Sequence, residues 1–340
     1  MPWLEAHASA RGIVPMLVMA NDAAGNPVAF LPFGVRRHGP FRVAEFLGGR
    51  DSNANIGLYS PDFRFMRDDL VSLLRAAAAK ARPRPDLFRL VNQPETWEGR
   101  DNPLDIFPHQ PSASFLHSGG LCPDPAAFVA ARQSKASAKK ARANLRKLEA
   151  MGAVEHVVAS SPAEVREILD AFIVQKLERF RQKNIASEFD TSETQNFLER
   201  AALCGLDLGR PGLELHALKV GGRILSTYGG GAHRGRFHIM INSFDPDPET
   251  ARASPGEFLL QKLIERKCRE GFATFDLGVG EARYKDAWCD TSQELFDSIM
   301  PVSRRGGLYS RYEAGRLSAK RWIKRSSWAW PLAMKVLGRK

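Results

Sequence analysis

The chain has 340 residues, 44% of them hydrophobic and 26% charged, which is ordinary for a globular protein of one large or two modest domains. Its four cysteines are scattered without CxxC spacing, so the sequence predicts neither a disulfide framework nor a zinc site, and we expect no bound metal. It shows neither a signal-peptide pattern nor an apolar run of about 18 residues that would span a bilayer. We therefore predict a cytoplasmic protein.

The net charge of +11 is concentrated in two segments. Residues 301–340 contain eleven lysines and arginines and one glutamate, and residues 131–150 contain seven basic residues and one glutamate. The other 280 residues therefore carry a net charge of −5. Two local basic segments indicate candidate contacts with an anionic partner.

The first 120 residues alternate between helix and strand patterns. The predicted elements are a short helix over residues 1–11, a hairpin over 14–31, a strand and loop over 45–59, a helix over 65–81, a strand over 87–91 and a polar loop over 94–110. No glycine-rich loop follows a strand in this half. We expect residues 1–120 to form a structural domain.

Residues 121–151 are predicted to form a basic helix between two halves of the chain. Pro123 and Pro125 lie near its start and Gly152 at its end. We favour a solvated helix that links the halves; a substrate or nucleic-acid contact is the alternative. Nucleic acid is the less favoured partner, because the segment does not interleave aromatic residues with arginine and lysine as single-strand binders do.

Residues 152–300 are predicted to form a second domain. It begins with a strand, a helix with a capping box of Ser161 and Glu164, and a second helix from Thr191. Two apolar runs then flank Gly221 and Gly222, a dipeptide that suits a tight β-hairpin. The runs RFHIMINS and TFDLGVG alternate apolar and polar residues, as half-buried strands do, and SIMPV is predicted to be a closing strand.

The helix between those two strands has several start signals. Ser254 fits the N-cap, Pro255 the first helical position and Glu257 the third position of a capping box, while Gly271 fits the C-terminal stop. A strand–helix–strand unit points the N-terminus of its helix at the end of a sheet. Such an N-terminus favours a phosphate, because its backbone N–H groups and the helix dipole attract anions.

The run SFDPDPETARASPGEFLLQKLIE, followed by FDLGVGEARYKDAW, resembles the CelD-type acetyltransferases linked to bacterial exopolysaccharide synthesis. These are a branch of the GNAT superfamily, related to the Fem-type aminoacyltransferases. The resemblance extends over residues 30–288 and is sharpest in Ser254-Pro255-Gly256, Asp276-x-Gly278-x-Gly280 and Tyr284-Lys285. One departure concerns the pyrophosphate loop, which usually reads Arg/Gln-x-x-Gly-x-Gly/Ala, whereas ARASPGE has one glycine.

The resemblance implies an α/β fold with mixed sheets, made of two tandem GNAT-like domains and a basic C-terminal helical tail. The N-terminal domain (1–120) would be degenerate, and residues 152–300 would be the catalytic acyltransferase domain. The family usually has more chain before the first helix, so we expect the start to be truncated or misassigned. It also implies transfer of an acyl group from a thioester to an amine. Acyl-CoA or acetyl-CoA would be a co-substrate, and no cofactor would be bound permanently.

Four residues are candidates for catalytic roles. Tyr284 lies where many GNAT enzymes place a tyrosine that protonates the departing thiolate; the alternative is a packed aromatic ring. Asp276 and His238 lie on the polar faces of their strands and are candidate bases, with structural roles as the alternative. Lys285 is a candidate for phosphate binding or charge stabilisation, or else a solvated side chain.

The remaining candidates bind substrates. The cofactor-binding candidates are Asn242, Arg252, Ser254, Pro255 and Gly256. The substrate-binding candidates are Glu178, Arg179 and Glu281. The alternative for Ser254 is that the capping box already occupies the N–H groups that a pyrophosphate needs. The alternative for Glu178 and Arg179 is a surface ion pair.

These features predict an N-acyltransferase that acts on a primary amine of a cell-envelope, polysaccharide or lipid precursor. Two alternatives stay open: acylation of a long-chain lipid amine at the membrane, as a ceramide synthase does, and a non-catalytic GNAT-fold binding module. Asp276, Glu281 and Tyr284 argue against the second. Use of aminoacyl-tRNA is disfavoured because the chain lacks an inserted coiled-coil arm.

Residues 301–340 mix lysine and arginine with Trp322, Trp328 and Trp330. This mixture is typical of a helix that lies in a membrane interface. We predict contact with an anionic membrane surface, on the inner face of the cytoplasmic membrane. The alternative is a helix docked on the protein's own surface with an exposed basic face.

Overall fold

The structure is a computed structural model that describes residues 2–184 and 186–336. Its helices are α1 Pro2–His7, α2 Arg67–Lys80, α3 Pro125–Arg132, α4 Lys135–Met151, α5 Pro162–Gln182, α6 Ser192–Leu203, α7 Pro248–Ala251, α8 Pro255–Arg269, α9 Arg283–Trp288, α10 Arg304–Arg325 and α11 Ala329–Val336. Its strands are β1 Val14–Asn21, β2 Pro27–His38, β3 Phe41–Phe46, β4 Leu58–Tyr59, β5 Leu87–Pro94, β6 Thr96–Trp97, β7 Arg100–Asp101, β8 His109–Gly120, β9 Val154–Val158, β10 Glu214–Val220, β11 Arg223–His233, β12 Arg236–Phe244, β13 Thr274–Val279 and β14 Thr291–Pro301.

The chain divides into two compact units. The first holds Trp3–Leu116 and Gln293–Met334, and the second holds His117–Ser292. In the first unit, β2 and β3 form an antiparallel pair, α2 follows, and β5 then pairs parallel with β3. The buried side of α2, with Leu70 and Leu74, packs with Phe33 and Phe88 of this sheet.

The second unit repeats this order of elements. Strands β11 and β12 are antiparallel, α8 follows, and β13 then pairs parallel with β12. Two antiparallel strands, a crossover helix and a parallel strand thus occur twice in one chain. This confirms the predicted fold class of two tandem GNAT-like α/β units with mixed sheets.

Helices cover both faces of the second unit's sheet. On one face, α8 packs with strand residues Phe237, Ile239, Phe275 and Leu277. On the other face, α5 and α6 pack with Leu215, Ala217 and Ile241. Side chains alternate along a strand, so each face receives its own set of residues. Ile241 lies on the opposite face from Ile239 because Met240 between them is an extra residue in β12.

Several local predictions are confirmed. Gly221 and Gly222 have φ values of 55° and 79° and form the turn between β10 and β11. Ser161 and Glu164 form a reciprocal capping box at the start of α5. The hairpin of β1 and β2 and helix α2 also lie where the sequence predicts them.

Strand β8 was not predicted, and its first residues fall in the expected polar loop. Its inward positions include Ser112 and Ser114, both buried, so the usual alternation of apolar and polar residues is hidden. Helix α9, which contains most of residues 281–288, was not predicted either. A pattern of apolar residues alone does not identify either element.

The predicted domain boundaries differ from the two units. Most of β14 lies in the first unit, where it pairs antiparallel with β5 from Leu295–Pro94 to Pro301–Leu87. Helix α10 is also part of the first unit rather than a separate tail. The predicted linking helix is two helices, α3 and α4, and both belong to the second unit. None of the described helices has the length and hydropathy that a bilayer crossing requires.

Candidate active site

The parallel pair of β12 and β13 is short. Its register runs from Arg236–Thr274 to His238–Asp276, and within the described residues no further pair continues it, although the strands extend to Phe244 and Val279. Just beyond this point β12 has a bulge: Gly229 and Gly230 of β11 oppose Ile241 and Ile239, so Met240 is an extra residue. Bulges are common beside active sites. The strand edges beyond the bulge have backbone groups that an extended ligand can pair with.

Tyr284 lies in the first turn of α9, close after the end of β13. It is partly buried against the α8 face of the sheet, together with Tyr228 of β11. Interaction with the Asn242 side chain lowers the pKa of both tyrosines, against the larger effect of burial. Burial raises the pKa of Tyr284 above its ordinary value, and the nearby Cys289 adds to this, while Arg179 and Asn242 oppose it. The hydroxyl therefore keeps its proton and is available as a donor.

Helix α5 supplies two cations next to Asn242. The Arg179 guanidinium lies 4.6 Å from the centre of the Phe244 ring. The Lys176 Nζ atom donates to the Asn242 carbonyl oxygen at 3.0 Å. Burial, with a smaller contribution from Arg179, lowers the pKa of Lys176 to about 8. Sequence reasoning missed Lys176, although it precedes Arg179 by three residues and so shares its side of the helix.

His238 and Asp276 form a second group. His238 Nδ1 lies 2.9 Å from Asp276 Oδ2, and Arg236 Nη1 donates to the same oxygen at 3.2 Å. Asp276 is fully buried, and its Oδ1 has no hydrogen-bond partner among the described residues. Because Phe237 and Phe275 face α8, the alternating residues His238 and Asp276 point to the opposite face of the sheet. The structure thus brings His238 together with Asp276. Both point to the face of the sheet opposite the one against which Tyr284 packs.

Lys285 is buried rather than solvated. Its Nζ donates to the carbonyl oxygens of Gly278 at 3.0 Å and Val279 at 3.2 Å. Gly278 and Gly280 have positive φ values of 75° and 100°, which turn the backbone at the end of β13. Lys285 therefore holds α9, and with it Tyr284, against the end of the strand.

The N-terminus of α8 differs from the prediction. Ser254 is the N-cap residue, but it adopts the left-handed conformation, with φ 50° and ψ 53°, and makes no side-chain cap hydrogen bond. The predicted capping box of Ser254 and Glu257 is therefore wrong. A capping side chain needs extended backbone at the N-cap to reach the first turn, and the left-handed backbone points it elsewhere. The N–H groups of the first turn are left without a side-chain cap.

The other predicted cofactor-binding residues surround this helix start. Lys147 of the basic helix α4 donates to the Arg252 carbonyl oxygen at 3.2 Å. A cavity of about 140 Å³ lies between α3, α4 and the start of α8, and Lys140, Ser137, Ser254 and Glu257 are among its lining residues. Pro255 is buried at the first helical position. A Cβ atom at Gly256 would lie 3.7 Å from the Phe244 ring, in ordinary contact.

The two glutamate candidates lie in different places. Glu178 pairs with Arg181 at 2.5 Å and lines an open groove of about 700 Å³ between α5, the start of β11 and the end of β12. Glu281 Oε2 lies 3.2 Å from Nε2 of His117, a buried histidine whose Nδ1 is 3.0 Å from the Ser292 hydroxyl. Sequence reasoning missed His117, because it lies on the unpredicted strand β8.

In the described part of the chain, no cluster of histidine, cysteine or carboxylate side chains is arranged to hold a metal.

Residues 135–286 match the family model of the Acetyltransferase (GNAT) domain. This segment, a little under half of the chain, is therefore similar to GNAT acetyltransferase domains. It contains α4, the bulged strand β12, the uncapped start of α8 and Tyr284, so the geometry described above lies within the matched residues. The match does not distinguish the CelD-type branch from other GNAT proteins. No curated protein matches the chain.

Solved structures share the fold over nearly the whole chain. FemX has a TM-score of 0.59 at 11% identity and covers 92% of this chain and 93% of its own. L-PGS from Bacillus licheniformis has a TM-score of 0.52 at 13% identity, with 91% and 95% covered. A conserved protein of unknown function from Bacteroides thetaiotaomicron has a TM-score of 0.53 at 14% identity, with 88% of each chain covered. At these identities the likeness shows the fold alone.

Proposed function

We propose that this protein is an N-acyltransferase that moves an acyl group from acyl-CoA, or another acyl thioester, to a primary amine of a cell-envelope, polysaccharide or lipid precursor. The main support is that, among the described residues, β12 and β13 stop pairing after His238 and Asp276. The start of α8, which has no side-chain cap, and the protonated Tyr284 follow these strands in the chain. The GNAT domain match supports the general chemistry.

In this proposal the donor lies along the open strand edges. Backbone groups of β12 beyond the bulge pair with the extended arm of the donor and polarise the thioester carbonyl. The pyrophosphate binds at the first turn of α8, near Arg252 and Gly256, and Lys140 and Lys147 of α4 add positive charge there.

The acceptor amine attacks the thioester carbonyl carbon, a C–N bond forms, and the C–S bond breaks. The thiolate takes a proton from the Tyr284 hydroxyl and leaves as a thiol, and the amine proton passes to a base and from there to solvent. His238, held by Asp276, is the proposed base. The tyrosinate then regains a proton, so the reaction consumes one thioester and one amine and yields one amide and one thiol.

We propose that the acceptor approaches along α5. Arg179 lies beside Phe244. The open groove is lined by Asp170, Glu178 and Asp245 and by Arg181 and Arg223, which pair with Glu178 and Asp245, so one carboxylate is in excess and favours a protonated amine. The groove and the Glu281–His117 pair are the places where acceptor specificity is to be sought. We place the protein in the cytoplasm, where acyl thioesters are made.

An acylation assay tests the proposal. The protein is mixed with acetyl-CoA or longer acyl-CoA and a panel of amino sugars, amino acids and long-chain bases, and thiol release is followed. Amine-dependent release, matched by an amide product in mass spectrometry, is the expected result. If no acyl-CoA yields an amide while an aminoacyl-tRNA does, the donor class is wrong.

A further inference from the structure

Helix α10 is held to the first unit by its inner side. Glu313 is 2% exposed, and its Oε2 accepts a hydrogen bond from Arg89 of β5 at 2.8 Å. Leu317 is buried, and the Tyr309 ring stacks on Phe41 with centroids 4.3 Å apart. The helix is therefore a fixed part of its unit, and its outward side is a defined surface.

The outward side of α10 is apolar. Leu308, Tyr312 and Trp322 are 71%, 63% and 57% exposed, and Ala319 between them is also exposed. Their spacing of four, seven and three residues places them in one stripe along the helix. Trp328, Trp330 and Leu332 continue the exposed apolar residues beyond its end, and the Trp322 and Trp328 rings are in contact at 5.5 Å. We call this set of six large side chains the aromatic face.

Cations lie within and beside the aromatic face. Arg304 and Arg311 are four residues before and three after Leu308, so they share its side of the helix, and both are exposed. The helix has eight lysines and arginines and one glutamate, and that glutamate is the buried Glu313. The outward side therefore presents positive charge without a compensating carboxylate from its own helix.

We propose that the aromatic face binds an anionic lipid bilayer, with the axis of α10 lying in the interface. Tryptophan and tyrosine are amphipathic side chains suited to headgroup depth, leucine to the acyl boundary, and arginine to anionic headgroups. Charge complementarity favours this occupant over a neutral apolar partner, and exposed tryptophans favour it over nucleic acid bound by charge alone. The proposal goes beyond the proposed reaction and does not depend on it.

A second apolar patch provides a matched control. Leu17 and Met19 on the edge strand β1 are 49% and 63% exposed, which is similar to the exposure of the aromatic face. The strand, VPMLVMAN, contains no lysine or arginine. If apolar exposure alone caused membrane binding, substitutions at either patch would weaken it. If binding also needs positive charge, only substitutions in the aromatic face should weaken it.

Vesicle flotation tests the proposal. The full chain should float with vesicles rich in phosphatidylglycerol but not with pure phosphatidylcholine, and salt should weaken binding. The aromatic-face variant, with Leu308→Gln, Tyr312→Gln and Trp322→Gln, should lose about tenfold or more in affinity for anionic vesicles. The double variant Arg304→Glu with Arg311→Glu should lose as much. All five positions are exposed, so both variants should keep the wild-type melting temperature. The control, Leu17→Gln with Met19→Gln, should bind like the wild type.

Three outcomes would overturn the proposal. The wild type stays soluble with anionic vesicles at low salt; the aromatic-face variant binds as tightly as the wild type; or the wild type is a dimer in gel filtration that the aromatic-face variant alone converts to a monomer. The last result would show that a second copy covers the face.

Discussion

Tyr284, Asn242 and Lys176 depend on one another although they come from three elements. Lys176 donates a hydrogen bond to the Asn242 carbonyl oxygen, the Asn242 side chain interacts with the Tyr284 hydroxyl, and burial keeps that hydroxyl protonated. A side chain that gives a proton to a thiolate needs its acid form at working pH. At the residue scale, the site is a partly buried proton donor packed beside Asn242.

Replacing Tyr284 with phenylalanine keeps the ring and removes the donor. We expect kcat to fall about a hundredfold, the range typical of losing a general acid, at an unchanged melting temperature. Steady-state kinetics with thermal unfolding checks this. Tyr312→Phe, on the exposed side of α10, should keep the wild-type rate; an unchanged rate in Tyr284→Phe would mean that Tyr284 only packs.

The lowered pKa of Lys176 predicts that the free energy of unfolding changes with pH. Its pKa of about 8 in the folded state is below the ordinary 10.5, so between these values the unfolded chain binds more protons and stability rises with pH. In Lys176→Met this rise, on the order of 2–3 kcal/mol, should disappear. Urea titrations from pH 7 to pH 11 measure it. Lys183→Met, at an exposed position of the same region, should keep the wild-type slope, and identical slopes in all three proteins would contradict the assignment.

The sequence allowed Tyr284, Asn242 and Arg179 to be chosen individually, and the structure brings them together. It did not reveal Tyr228 or Lys176, because their roles depend on packing between β11, β12 and α5 rather than on spacing along the chain. Period-two alternation placed His238 and Asp276 on polar strand faces. It did not show that they point away from Tyr284, because that depends on which helix covers which face.

At the element scale, the starts of helices also depend on packing that the local sequence does not predict. Ser161 and Ser254 both precede a proline and both have a glutamate three residues on, so the sequence predicts a capping box for each. The box forms at Ser161 but not at Ser254, where the chain arrives from α7 in a left-handed turn. The direction from which the chain enters a helix is set by tertiary packing, and a motif of four residues does not specify it.

This difference predicts opposite responses to substitution. Ser161→Ala removes a real cap and should reduce the free energy of unfolding by about 1 kcal/mol. Ser254→Gly removes no cap and relieves a left-handed serine, so stability should stay the same or rise by up to about 1 kcal/mol. Chemical denaturation of both variants checks this, and an equal loss in both would show that Ser254 caps α8 in solution.

At the scale of the whole chain, non-local ion pairs decide which segments belong together. Glu45 and Glu313 converge on Arg89 from β3 and α10, which ties α10 to a strand more than two hundred residues earlier. The repeated order of strands and helices was predictable from local patterns. The place of α10 was not, because a basic segment gives no sign of the arginine that its single glutamate binds.

This cluster predicts acid sensitivity of the first unit. Burial raises the pKa of both carboxyls, but hydrogen bonds and charges outweigh it, from His38 and Arg89 at Glu45 and from Arg316 and Arg89 at Glu313, and lower each pKa to about 2. Their stabilising effect is present above the ordinary value of 4.5 and is lost as pH falls toward 2. Glu313→Gln leaves Arg89 partly unpaired and should cost on the order of 3 kcal/mol at pH 7, with a smaller difference at pH 3. Glu249→Gln, in the second unit, should leave stability unchanged at both pH values.

Calorimetric titration of the protein with acetyl-CoA is the most direct test of the central claim, that a thioester donor binds between β12 and β13 with its pyrophosphate at the start of α8. The wild type should bind one CoA per chain. Gly256→Leu should weaken binding tenfold or more, a loss of about 1.4 kcal/mol, while Gly256→Ala, whose methyl group fits beside Phe244, should lose less. Absence of binding to the wild type, or equal affinity in Gly256→Leu at an unchanged melting temperature, would contradict the account.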